Sequence, residues 1–118
     1  MTEKFRVEFL PDAVDFMEGL GEKARRKIYF NIRKAQVVND PELLKKLNEN
    51  IWEFRTLYNK THYRLFAFWD KIGDNDTLVL ATHGLVKKTG KTPQADLDKA
   101  ARIRQQYFEQ KMKSYGGR

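Results

Sequence analysis

The stretch HGLVKKTGKTP, His83 to Pro93, sets three lysines within five positions and contains no acid. Ammonium groups gathered this way either sit in water as a solvated turn or neutralise an anion, and a phosphate backbone is the anion that suits them. A second pair of cations bears on that choice. Arg55 lies near the end of IWEFRTLY (51–58) and Arg64 near the start of YRLFAFW (63–69), with NKTH (59–62) as the connection. Paired as a hairpin, these segments bring the two arginines close together. Like charges facing each other on a sheet are unfavourable unless an anion or a carboxylate sits between them. Glu53, two residues from Arg55 on the same strand face, is one such carboxylate and would make a structural salt bridge. A bound phosphate is the other possibility, and both stay open for each arginine.

Lys87, Lys88 and Lys91 leave the end of a strand that would lie beside the Arg64 strand, near its start. Guanidinium forks and ammonium groups on one concave sheet face would bind phosphates and stabilise the charge that develops in phosphoryl transfer. Backbone N–H groups at a helix start near Thr92 add a weak anion site. His83 is a candidate proton carrier, because an imidazole titrates near neutrality, or else a partly buried histidine satisfied by backbone. His62 reads as a surface residue of the turn. Tyr58, Tyr63 and Tyr107 could stack on a base, although aromatics at strand and helix spacing commonly serve a core. No paired carboxylates, Ser-His-Asp set, phosphate loop or zinc-ligand spacing is present.

The elements that must hold these residues are legible in the periodicity. KFRVEFL alternates Phe5, Val7 and Phe9 with Lys4, Arg6 and Glu8, as a half-buried strand does. Pro11 suits the first turn of a helix carrying Ala13, Val14, Phe16 and Met17, and Gly19-Leu20-Gly21 interrupts it. From Glu22 to Val38, Ala24, Ile28, Ile32 and Ala35 keep helical spacing, with Lys23, Arg26, Lys27, Arg33 and Lys34 on the opposite face. So short a break predicts a helical hairpin. Asn39-Asp40-Pro41 ends the second helix, and PELLKKL offers a further helical turn. Three strands follow at 51–58, 63–69 and 77–86, with KIGDND (71–76) as a turn. Thr92-Pro93 reads as N-cap and first position of a C-terminal helix along Leu97, Ala100, Ile103, Arg104, Tyr107 and Phe108, and SYGGR as a frayed tail. The expected class is α+β: an N-terminal strand and a helical hairpin packed on a small, mainly antiparallel sheet, with a C-terminal helix.

The 118 residues are enough for one domain, 1–118, and 41% apolar against 33% charged is a globular balance. Twenty-three Lys and Arg against sixteen Asp and Glu leave a net charge of +7, which points to nucleic acid or an acidic protein as partner. The excess is local: from Ile51 to Pro93 there are seven basic residues and four acids. The absence of cysteine removes disulfides and thiol chemistry and suits a cytoplasmic protein. Neither a signal peptide nor a membrane-spanning run is expected, and two scattered histidines predict no metal and no cofactor.

KKLNENIWEFR, YRLFAFW and HGLVKKTGKTP, followed by ADLDKAARIRQQYF, together resemble the RelE/ParE superfamily of toxins from type II toxin–antitoxin modules. They are similar in particular to its phage-derived HigB-like branch. There a strand reading Leu-Trp-Glu-Leu-Arg precedes Tyr-Arg, an aromatic run, a His-Gly turn, a Lys-Lys pair, Thr-Pro and a helix of Ala and Arg. The match spans roughly 45–108, and the N-terminal part agrees in pattern. The resemblance implies a ribosome-dependent, metal-independent mRNA endonuclease that inhibits translation, giving a 2′,3′-cyclic phosphate and a 5′-hydroxyl. Carried over by position, Arg55 and Arg64 would clamp the scissile phosphate, with Lys87 neutralising charge and His83 moving the proton. Lys88, Lys91, Lys60 and Tyr63 would hold the RNA. It further implies a helix-turn-helix, HigA-like antitoxin, contact with the ribosome and mRNA, and operator DNA only through the antitoxin complex. Leu85 and Phe54 depart from the pattern, as does Ala67 within the aromatic strand, and Leu85 removes a stacking surface. A ParE-like gyrase inhibitor and a non-catalytic antitoxin-binding module remain the alternatives.

Overall fold

The computed structural model describes residues 4–72, 78–87 and 92–116. Lys88 and Lys91 lie outside the described residues, so the lysine turn is represented here by Lys87. The architecture is α+β, as its periodicities predict, with three helices and one five-stranded sheet. The strands are β1 (Arg6–Phe9), β2 (Leu44–Lys46), β3 (Trp52–Tyr58), β4 (Thr61–Asp70) and β5 (Leu78–Lys87), in the spatial order β1-β5-β4-β3-β2. The helices are α1 (Pro11–Glu18), α2 (Glu22–Val37) and α3 (Gln94–Gly116). Three neighbouring pairs are antiparallel, and β1 joins β5 in parallel at the edge.

Helices α1 and α2 cover one face of the sheet and α3 covers part of the other. Alanine and branched aliphatic side chains at helical spacing on α2, Ala24, Ile28, Ile32 and Ala35, are all buried. Ile28, Ile32 and Ala35 join Ala13, Met17, Phe54, Leu65, Ala67, Val79 and Ala81 in the larger core. Two polar side chains of the same helix are satisfied rather than excluded. Asn31 donates to the Thr56 hydroxyl at 3.2 Å and Gln36 to the Phe5 carbonyl at 3.0 Å. On the opposite face a smaller cluster of Ile51, Phe66 and Ala100 is flanked by Leu85 and Leu97. Farther along α3, Phe68 meets Tyr107 and Phe108 ring to ring. Buried Asp70 ends β4 and accepts hydrogen bonds from Tyr107 and Lys111, fastening the middle of α3 to the sheet.

Three details differ from the sequence reading. PELLKKL opens on a single turn, where the Asp40 carbonyl accepts from the N–H groups of Leu43 and Leu44, but then runs into a strand: Leu44–Lys46 pairs antiparallel with Phe54–Trp52, setting Lys45 opposite Glu53. A helix this short is marginal alone, and the exposed edge of β3 supplies backbone partners for it. The β3–β4 connection is two residues, Asn59 and Lys60, both at positive φ (51° and 64°), so Thr61 and His62 belong to β4. Helix α3 begins after Thr92-Pro93, where the Pro93 carbonyl accepts from the Asp96 N–H, and it continues to Gly116.

One residue of β5 controls what each face carries. Phe66 pairs with His83 while Ala67 pairs with Ala81, leaving Thr82 as an extra residue in a β-bulge. Strict alternation would put Ala81 and His83 on the same face. With the bulge, Ala81 joins the α1 side and His83 turns to the α3 side, against Phe66. Gly84 then faces α1, where the Phe16 ring lies so close that a Cβ would stand 2.2 Å from it.

Candidate phosphate-binding face

The expected pairing of arginines exists. Arg55 and Arg64 are directly opposite in the β3–β4 register, and Arg64 is opposite Leu85 in the next pair. Alternation puts Glu53, Arg55 and Leu57 of β3 on the α3 side of the sheet, with Phe66, Arg64 and His62 of β4. On β5 the same side carries His83, Leu85 and Lys87. Three cross-strand rows result: Glu53–Phe66–His83, Arg55–Arg64–Leu85 and Leu57–His62–Lys87. Helix α3 sits over the first row. The third is the open one, with Leu57 57% exposed.

Glu53 is the hub of this face. Its carboxylate is 1% exposed. One oxygen accepts from Arg64 Nη1 at 2.9 Å and lies 3.6 Å from Arg55 Nε. The other accepts from the Thr92 hydroxyl at 3.4 Å, which draws the approach to α3 over the sheet. The two arginines are therefore unequal. Arg64, 9% exposed, is tightly paired, whereas Arg55, 33% exposed, stands beyond hydrogen-bonding distance of that oxygen. One carboxylate answers two guanidiniums, and the face keeps a net positive charge that Lys87 increases.

His83 takes the second of the two settings read from the sequence, a buried histidine, with side chains rather than backbone as its partners. The ring is 3% exposed and stacked on Phe66 at 4.8 Å between centroids. Nε2 lies 3.1 Å from Asp96 Oδ1 and Nδ1 lies 3.0 Å from the Thr82 hydroxyl. Burial holds its pKa below the ordinary histidine value; the Asp96 hydrogen bond opposes that, and nearby Lys99 reinforces it. A neutral ring donating from Nε2 to Asp96 fastens the first turn of α3 to β5. Both nitrogens are occupied within the fold, so this histidine is not presented to a ligand on the open rows. The bulge sets which partners the ring meets, and it is not visible in local spacing.

Tyr63 has the core role that its strand spacing allows: it packs on the larger core on the α1–α2 side, facing away from Arg64. Lys60 is exposed at the hairpin tip, at the end of the third row. His62, read as a turn residue, is instead in β4, on the open face between Leu57 and Lys87. The signal that could have found it is the dipeptide Asn59-Lys60, which can close a two-residue turn and so begins the next strand at Thr61. Among the described residues no group of three or more His, Asp or Glu side chains is placed to hold a metal ion. No helix among them is long and apolar enough to cross a membrane.

The family model described as "Phage derived protein Gp49-like (DUF891)" matches residues 15–105. The chain belongs to that family. Gp49-like proteins are associated with toxins of toxin–antitoxin modules and with a RelE/ParE-like fold, and the α+β architecture here is compatible with that fold. The matched segment runs from within α1 to the middle of α3, so it includes Glu53, both arginines, His62 and the lysine turn. No curated protein matches the chain.

Proposed function

We propose that this Gp49-like protein is the toxin of a toxin–antitoxin module and a HigB-like, ribosome-dependent mRNA endonuclease. The observation that carries the reading is the direct opposition of Arg55 and Arg64 on the open sheet face, with His62 and Lys87 in the next row. Two guanidiniums sharing one carboxylate leave unbalanced positive charge where an RNA strand can lie.

In the reaction the RNA 2′-hydroxyl loses its proton and forms a bond to the adjacent phosphorus. The P–O5′ bond breaks, and the departing 5′-oxygen takes up a proton. The products are a 2′,3′-cyclic phosphate and a 5′-hydroxyl. Arg55, the more exposed arginine, meets the non-bridging oxygens, while Arg64 adds charge from its fixed place on Glu53. Lys87, with Lys88 and Lys91 by their position in the chain and Lys60 at the hairpin tip, holds the backbone. His62 takes the proton-carrying role, because it shares the open row with Lys87 whereas His83 is engaged with Asp96 and Thr82. No metal or cofactor is invoked. The partners are a helix-turn-helix, HigA-like antitoxin, the ribosome with its mRNA, and operator DNA through the antitoxin complex, all in the cytoplasm.

The Glu53–Arg64 pair favours a second reading, a non-catalytic antitoxin-binding module in which that ion pair is purely structural. Induction of the chain in bacterial cells with 5′-end mapping of mRNA separates the two, beside Arg55→Ala and His62→Ala. Cuts within translated codons that vanish in both variants, and when initiation is blocked, support the endonuclease. Growth arrest with intact mRNA and damaged DNA indicates a gyrase inhibitor, and a folded, harmless protein indicates the module.

A further inference from the structure

The sheet face opposite the arginine pair is covered by α2, whose outer side carries a pattern of its own. Arg26-Lys27 recurs seven residues on as Arg33-Lys34, with Phe30 midway. Seven residues are nearly two helical turns, so the repeats lie on one side of the helix about 10 Å apart. Lys23, Arg25, Arg26, Lys27, Arg33 and Lys34 are basic, and Glu22 is the single acid of the helix. Arg25 turns inward toward the Met17 carbonyl at 3.4 Å. Glu22 lies 3.6 Å from Arg26, with both side chains more than 60% exposed, and a pair of that kind holds little energy.

Phe30 is 59% exposed among these cations, with Lys27 Nζ 5.0 Å from its ring centre. It adds nothing to a core that Ala24, Ile28, Ile32 and Ala35 already build from the other side of the helix. Val37 follows it at heptad spacing, half-buried, and Val38 is 39% exposed. The outer side is thus a short apolar seam, Phe30 to Val37, between a row of Arg26 and Arg33 and a row of Lys27 and Lys34.

We propose that this side of α2 docks an acidic amphipathic helix of a protein partner. Apolar side chains at heptad spacing on that helix meet Phe30 and Val37, and carboxylates beside them meet Lys27 and Lys34. A nucleic-acid backbone satisfies the rows equally well and offers Phe30 a base to stack on, but it gives Val37 and Val38 nothing to bury against. The two-turn repeat is also the repeat of a partner helix. Because α2 and the arginine rows occupy opposite faces, the docked helix leaves the phosphate-binding face uncovered, and the inference holds whatever chemistry that face performs.

The test uses the full chain and a synthetic helical peptide of about three heptads, with leucine along one seam and glutamate on both flanks. Anisotropy titration at moderate salt should give binding near the micromolar range. Phe30→Ala and Lys27→Glu/Lys34→Glu should each weaken it about tenfold or more, a difference expected when an interface anchor or its charge complement is lost. The charge-reversed variant should instead gain affinity for a lysine-flanked version of the same peptide, and Arg55→Ala should change nothing. Unchanged melting temperatures for these surface variants establish that they fold. The proposal is overturned if a serine-seamed glutamate peptide binds equally well. It is also overturned if Phe30→Ala binds like the parent, or if the charge-reversed variant loses duplex RNA while keeping the acidic peptide.

Discussion

Replacing Glu53 by leucine, Arg64 by leucine, and both together tests whether the buried ion pair is one energetic unit. Glu53 is 1% exposed and Arg64 9%, so neither charge left alone can recover water. Removing one member of such a pair costs about 3–5 kcal/mol, whereas replacing both by apolar residues is often neutral or favourable. For Glu53→Leu we expect a loss of about 3 kcal/mol or more. Arg64→Leu should cost somewhat less, about 2–3 kcal/mol on the same scale, because Arg55 Nε is 3.6 Å from the orphaned carboxylate and can close on it. The double variant should lie within about 1 kcal/mol of the parent protein, giving a coupling energy of at least about 4 kcal/mol. Urea unfolding followed by the fluorescence of Trp52 and Trp69, whose rings meet edge to face at 5.8 Å, measures all four corners. Additive losses would refute the argument that Glu53 and Arg64 stabilise only as a pair. A stable double variant also serves the functional question. It keeps the fold without the Arg64 charge, so any loss of RNA cleavage in it belongs to the chemistry of the face.

Gly84→Ala should destabilise the protein by about 1–3 kcal/mol through overpacking, since the new Cβ would stand 2.2–2.4 Å from Phe16 ring atoms. Urea unfolding of Gly84→Ala with and without Phe16→Leu should show part of that loss relieved in the double variant. Lys60→Gly should stabilise by roughly 1 kcal/mol, because φ of 64° suits glycine at the second place of the hairpin turn. The same variant should bind single-stranded RNA more weakly in a filter assay, having lost the cation at the hairpin tip. Acidification should weaken the fold through two groups. Burial keeps His83 below its ordinary pKa, so the unfolded chain binds the proton more readily; this contribution is complete above about pH 6.5 and declines as pH falls below it. Asp70 is also lowered: burial raises it, but the hydrogen bonds from Lys111 and Tyr107 prevail, so its contribution is lost farther down, below about pH 4. His83→Gln should flatten the stability profile between pH 7 and 5 and leave the steeper acid limb in place.

Local chemistry settled a good deal before any tertiary contact is considered. Heptad-like spacing in α2 identified its buried face, and the alternation of Phe5, Val7 and Phe9 announced a strand that begins at Arg6. The hairpin between two aromatic-rich segments brought Arg55 toward Arg64, and Glu53 was readable as their carboxylate because residues two apart share a strand face. Basic residues without acids around the lysine turn marked the region as a candidate anion site from charge alone.

Long-range pairing decided the rest. Leu44–Lys46 is a strand because the edge of β3 supplies its backbone hydrogen bonds, a partner six to ten residues away that no local propensity encodes. A turn of two residues rather than four moved His62 into the open row beside Lys87. The extra residue Thr82 reversed the facing of everything after it in β5, sending His83 against Phe66 and Asp96 and turning Gly84 toward Phe16. Sequence periodicity assumes an unbroken alternation, whereas a bulge is fixed by how two sheet faces pack against different helices, and that packing exists only once the chain has folded.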